Sequence, residues 1–207
     1  MTKSSSSTAR IAQLVQQMRD DIRFGAFTFG QWLKLVELQE RYGAKQFEMR
    51  KVLNELKAQH LVEHKQNSGF FVATPDPAER EQMRFVRLVL ERSAASLIAA
   101  RATQDDIADL KRCATQFKTT IQLNGRQYQA AANFAFHDRL ARITGNAVLA
   151  RLIHDLREQS HYGTTGRWRS NEGLQESAEE HFAMIEAIEK RDPIELERCI
   201  TRHIESF

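Results

Sequence analysis

Gly43-Ala-Lys-Gln-Phe-Glu-Met-Arg-Lys-Val-Leu-Asn-Glu-Leu-Lys-Ala-Gln-His-Leu61 is the stretch whose reading decides the fold. Val52, Leu53, Leu56 and Leu61 can face inward at helical spacing, while Lys45, Gln46, Arg50, Lys51 and Asn54 fall largely outside that stripe. A short helix from Leu33 to Tyr42 precedes Gly43, so the stretch reads as the second helix of a helix-turn-helix. In that motif the second helix enters the DNA major groove and its early residues reach base edges.

Upstream, Met1 to Ser7 is polar and expected to be disordered. Thr8 can cap a helix whose apolar positions are Ile11, Leu14, Val15, Met18 and Ile22. Phe27, Phe29 and Trp32 then supply an aromatic cluster expected in the core. Downstream, Leu61-Val62 and Phe70-Phe71-Val72 flank an Asn67-Ser68-Gly69 turn, which predicts a β-hairpin. Three helices and a hairpin make a winged helix over residues 8–74. Its expected DNA-contacting residues are Lys34, Lys45, Gln46, Arg50 and Lys51, with His64 and Lys65 in the wing. A hairpin that merely covers the core would look the same.

Pro75 and Pro77 restrict the chain to extended or turn geometry, so residues 75–78 read as a linker. Eleven Lys and Arg against seven Asp and Glu lie in residues 1–75, while 76–207 is almost balanced. The basic excess therefore sits where phosphate contacts would need it. Nine Gly and three Pro in 207 residues favour helix. Beyond the linker six helical patterns follow with short connections, which predicts an antiparallel six-helix bundle over 79–207. In the first of them Met83, Val86, Leu90, Ala94 and Leu97 form the apolar stripe. No apolar run approaches the length of a membrane span, and Cys113 and Cys199 are too few for a disulfide framework. A cytoplasmic protein with reduced thiols is expected.

Three histidines fall on apolar faces. His137 shares one with Asn133, Leu140 and Ala141, His181 with Ala178, Phe182, Ile185 and Ile188, and His203 with Leu196, Cys199 and Ile200. Each alone reads more readily as a hydrogen-bonded core residue than as a ligand. Together, imidazoles from three helices can meet around one divalent metal ion, with an amide or carboxylate oxygen completing the set. Asn133 lies one turn before His137 and is placed to do so. His154 and His161 share a face of a neighbouring helix and read as structural or pocket-lining. The loop from Gly163 to Gly173 carries Arg167, Trp168 and Arg169 and could cover a pocket.

Over nearly its full length the chain resembles GntR-type bacterial transcription regulators of the FadR-like subgroup. The resemblance rests on the Gly43 turn, Arg50, Leu53, Leu56, Leu61-Val62, Gly69 and Val72. In the second domain it rests on Arg87, Glu91, the run Asn133 to His137, Gly145-Asn146, Glu180-His181, Ile185, Ala187-Ile188, Asp192 and His203. The six-helix count is similar to the VanR-like branch. The resemblance implies a homodimer on a palindromic operator in double-stranded DNA. It also implies a helical domain that binds a small carboxylate effector at a divalent metal, zinc or nickel, and no catalytic activity. Carried over by position, the metal ligands are Asn133, His137, His181 and His203; Arg87 reads either as the residue for the effector carboxylate or as the partner of Glu91 on its own helix. The family usually has Asp where Asn133 stands, Ser-Arg where Lys45-Gln46 stands, and Pro where Phe29 stands. Two other readings remain open: a metal-dependent enzyme acting on a small organic acid, and a DNA-binding regulator whose histidines are core.

Overall fold

The computed structural model describes residues 3–74, 76–123, 125–159, 168 and 170–206. These divide into two compact units, 1–75 and 76–207.

In the first unit, α1 (Lys3–Arg23) packs on α3 (Gln46–Ala58), and α2 (Leu35–Tyr42) packs on α3 through the Gly43 turn. Gly43 adopts φ +56°, the left-handed conformation that ends a helix cheaply only for residues without a Cβ. Ala44 N–H then donates to the Gln39 carbonyl, closing the turn. The next helix starts when the Lys45 N–H donates to Glu48 Oε2 at 2.7 Å. Arg10 of α1 donates from Nε to Glu48 at 3.1 Å and from Nη2 to the Gly43 carbonyl at 2.7 Å, pinning the turn to α1. Met49, Val52, Leu53 and Leu56 are fully buried beside Met18 and Ile22, so the inward stripe is as the spacing predicts.

The wing holds three strands rather than two. β1 (Trp32–Leu33) joins β2 (Val62–Lys65) and β3 (Gly69–Val72) in the antiparallel order β1-β3-β2. Leu33 therefore belongs to a strand, and α2 begins at Leu35. Trp32, expected in the core, is 52% exposed because a strand alternates faces and Leu33 takes the inward one. Its indole lies against Gly69, where a Cβ would meet Trp32 Nε1 at 3.2 Å.

The second unit comprises α4 (Pro77–Arg101), α5 (Gln104–Thr120), α6 (Arg126–Arg142), α7 (Ala147–Gln159), α8 (Asn171–Glu189) and α9 (Pro193–Glu205). α4 packs mainly on α9 and also on α7, α5 lies against α6 and α8, and α8 meets α9. Residues 77 and 78, expected in a linker, are already helical. Asp76 accepts from the Ala78 N–H, and Pro77 takes the first helical position, which needs no N–H. Likewise α1 begins at Lys3, ahead of Thr8. Pro75 lies outside the described residues.

The α4 stripe differs from the expected one. Its buried side is Arg87, Glu91, Ala94, Ala95, Ile98 and Ala99, whereas Phe85, Val86 and Val89 are exposed. Apolar identity misled there, because the helix turns a charged pair inward. Phe182 also points outward, one residue on from the buried His181. Gly173 is buried within α8, which starts at Asn171 once Ser170 Oγ accepts from the Gly173 N–H.

Leu53→Ala should lower the stability of the first unit by about 2–5 kcal/mol, since Leu53 is fully buried among core side chains. Denaturant unfolding of the full chain measures it. A loss under about 0.5 kcal/mol would mean the inward face of α3 is misassigned.

Candidate functional site

The three histidines come from three helices, His137 from α6, His181 from α8 and His203 from α9. All are buried, and their ring nitrogens converge. His137 Nε2 lies 2.9 Å from His203 Nε2 and 3.3 Å from His181 Nε2. Nitrogens bound at about 2.0–2.1 Å to one ion stand roughly 2.9 Å apart at adjacent octahedral corners and roughly 3.4 Å apart in a tetrahedron. The spacing therefore fits a shared cation.

His203 Nδ1 lies 2.8 Å from Glu180 Oε2, one residue before His181. A carboxylate there accepts from Nδ1–H and leaves the Nε2 lone pair free to ligate. The Nδ1 atoms of His137 and His181 find no protein partner among the described residues. Asn133, a turn before His137, is fully buried, and neither its amide oxygen nor its nitrogen has a protein partner among the described residues. A buried amide left this way is costly, which fits an oxygen donor reserved for a ligand.

Burial holds the His137 imidazole well below its ordinary range, and the nearby positive charge of Arg157 adds to this. Burial does the same to His181, helped by His203 and Arg157. Both rings are thus neutral, the form that binds metals. Phe136 stacks on His181 at 4.1 Å between ring centroids, and Phe117 meets the same ring edge-on at 4.9 Å. Trp168, fully buried, lies against Phe117. These rings exclude water from one side of the cluster. Of the loop expected to cover a pocket, Trp168 is described, whereas Arg167 and Arg169 lie outside the described residues.

Beside the histidines is a buried ionic triad. Arg87 Nε donates to Glu91 Oε1 at 3.1 Å, and Arg157 of α7 donates to Glu91 Oε2. Burial alone would raise the Glu91 carboxyl, but Arg157 and Arg87 together hold it below its usual value. Glu91 and His137 line one small cavity with Ala94, Ile98, Leu140 and Ile200. Arg87 thus pairs along its own helix with Glu91. Sequence reading missed Arg157, because a basic residue in the last turn of a helix normally signals an exposed cation facing the helix dipole. His154 lines a separate open cavity with Asp138 and Arg142, its Nδ1 2.9 Å from Asp138, and His161 lies outside the described residues.

On the first unit, Lys45, Gln46, Arg50, Lys51 and Asn54 are all exposed on the outer face of α3. Lys34 pairs with Glu37 at 2.7 Å and lies over the Trp32 ring. In the wing, His64 packs edge-on against Phe70, and Lys65 lies over Phe71 while reaching Glu63 at 3.5 Å. These side chains keep cationic or polar ends in solvent around one helix.

Residues 10–72 match the model described as bacterial regulatory proteins, gntR family, and residues 82–206 match the FCD domain. The Uxu operon regulator of Haemophilus influenzae is 29% identical, the alignment covering 95% of this chain and 79% of that one. A relative in Paenarthrobacter nicotinovorans, described as "Probable D-xylose utilization operon transcriptional repressor", is 25% identical over 94% of this chain and 87% of its own. The solved structure of E. coli McbR/YncC shares the fold, with a TM-score of 0.75 at 16% identity, covering 95% of this chain and 93% of that one.

The neutral histidines set a pH dependence. Their folded-state values lie below the ordinary 6.5, so the unfolded chain takes up protons that the folded one refuses. The contribution of these two histidines to stability is therefore present above pH 6.5 and is lost progressively as pH falls through and below it, toward a limiting slope of about 1.4 kcal/mol per pH unit for each. Unfolding of chelator-treated protein between pH 7 and 5 should show this loss. A flat profile would mean the rings take up protons in place.

Proposed function

Because the chain belongs to the gntR family of bacterial regulatory proteins and carries an FCD domain over residues 82–206, we propose that it is a ligand-responsive repressor of transcription. It binds a palindromic operator as a homodimer and answers to a small carboxylate metabolite held at a divalent metal. The observation that carries the reading is the sidedness of α3, with Leu53 and Leu56 inside and Lys45, Gln46, Arg50 and Lys51 outside.

Lys45 and Gln46 stand at the start of α3, where a recognition helix reaches base edges, and the Gln46 amide can bond adenine through two atoms. Arg50 and Lys51, a turn further on, suit phosphates, as do Lys34, His64 and Lys65 around them. Two such units related by two-fold symmetry call for a palindrome. The Paenarthrobacter relative is described as a repressor and the Haemophilus one as an operon regulator, which supports control of transcription by repression.

In the helical unit, His137, His181 and His203 would hold the metal, zinc or nickel by ligand type, with the Asn133 amide oxygen as a fourth donor. When bound, the metal supplies open positions to an anionic ligand. Asn133 and three imidazoles add no negative charge to the bound ion, so its positive charge would attract an anion. Arg87 reaches an effector carboxylate by exchanging it for Glu91. That exchange occurs on α4, which follows the DNA-binding unit directly in the chain at Pro77. A ligand with different affinity for two arrangements of α4 shifts their populations and with them the operator affinity.

Anisotropy with duplex DNA from upstream of the protein's own coding sequence tests the reading. Saturable binding should weaken as salt rises. Arg50→Ala should weaken it across sequences and reduce the salt slope by about one phosphate contact. No saturable, salt-sensitive binding would sink the reading.

A further inference from the structure

Phe47, the second residue of α3, is 51% exposed. It belongs neither to the core of the first unit nor to the partly buried apolar residues packed against that core. Its neighbours one turn on are Arg50 and Lys51, with Asn54 a turn further, all exposed. Glu48, the next residue, turns away to accept from the Lys45 N–H and from Arg10. A large apolar ring thus projects from a face otherwise made of cations and amides.

Single exposed apolar side chains are common, and exposure alone would mean little. What selects a partner is the ring's surroundings. An apolar protein surface closing over Phe47 would also strip water from Arg50 and Lys51, which is costly without paired anions. A duplex supplies both needs at once, with phosphates for the cations and an apolar group in the groove for the ring. That group is the C5 methyl of thymine, the one apolar feature of the unmodified base edges in the major groove. Phe47 directly follows Gln46 in the turn of the helix that reaches base edges.

We infer that Phe47 is a specificity residue that reads a thymine C5 methyl group in each operator half-site. The inference rests on the DNA-binding reading above. With Gln46 suited to adenine, it calls for an A·T-containing step at the position each α3 addresses.

The test uses the full-length protein and a duplex enriched by it from a random-sequence library. Each thymine is replaced in turn by deoxyuridine, which removes the methyl and leaves base pairing intact. At one position per half-site the replacement should weaken wild-type binding roughly four-fold, and about fifteen-fold with both half-sites replaced, from the usual value of one buried methyl. Phe47→Ala should bind the thymine duplex more weakly and ignore the replacement. Because Phe47 lies outside the core, its circular dichroism and melting should match the wild type. Wild-type binding that is indifferent to deoxyuridine at every position would overturn the inference. So would a Phe47→Ala protein that keeps the wild-type sensitivity. Either result leaves DNA binding standing, whereas a library with no enriched sequence and no salt-sensitive binding would remove the DNA-binding reading itself.

Discussion

Three imidazoles sunk together into a helical unit impose a constraint that its neighbourhood is arranged to meet. His137, His181 and His203 are buried with two Nε2 contacts of 2.9 and 3.3 Å. Desolvation and the Arg157 cation both oppose protonation of His137 and His181. Neutral rings then bring converging nitrogens into contact, and only a proton or a cation shared between them relieves that crowding. Glu180 orients one ring, Phe136 and Phe117 hold another, and Trp168 backs Phe117. The helices α6, α8 and α9 are thereby fixed relative to each other at the atoms that matter.

The ionic triad extends that polar centre toward α4. Glu91 between Arg87 and Arg157 is satisfied from both sides, and breaking such a set by removing one member leaves uncompensated charge in the interior. An entering carboxylate, by contrast, replaces one acceptor with another and keeps the arginines paired. In the proposed function that exchange is the energetic basis of the switch, on a helix that begins directly after the DNA-binding unit. The two units differ chemically: α3 presents cations outward, whereas the bundle keeps Arg87, Glu91, Arg157 and its three histidines inside.

The inward stripe of α3, the wing turn and the three buried histidines were legible in the sequence, because each is written in periodicity or in turn residues. Val52, Leu53 and Leu56 could be placed by spacing alone. What escaped was where tertiary context overrides side-chain type. β1 spans two residues and offers no alternation to read, so Trp32 looks like a core aromatic until Leu33 takes the inward face. The α4 stripe went wrong because buried Arg87 and Glu91 look like surface residues until Arg157, sixty-six residues from Glu91, arrives to complete them. Phe182 failed for the opposite reason, as an apolar residue just off the buried face. Asn133 could be picked out by its place one turn before His137, but its lack of a protein partner is visible only in three dimensions.

The central claim is that the histidine cluster is a metal centre, and elemental analysis of the full chain after incubation with zinc or nickel and removal of excess ion tests it most directly. One ion per chain is expected in the wild type, with loss of that ion in a folded variant carrying both His137→Ala and His181→Ala. A metal content near zero in the wild type, or equal content in the variant, would contradict it.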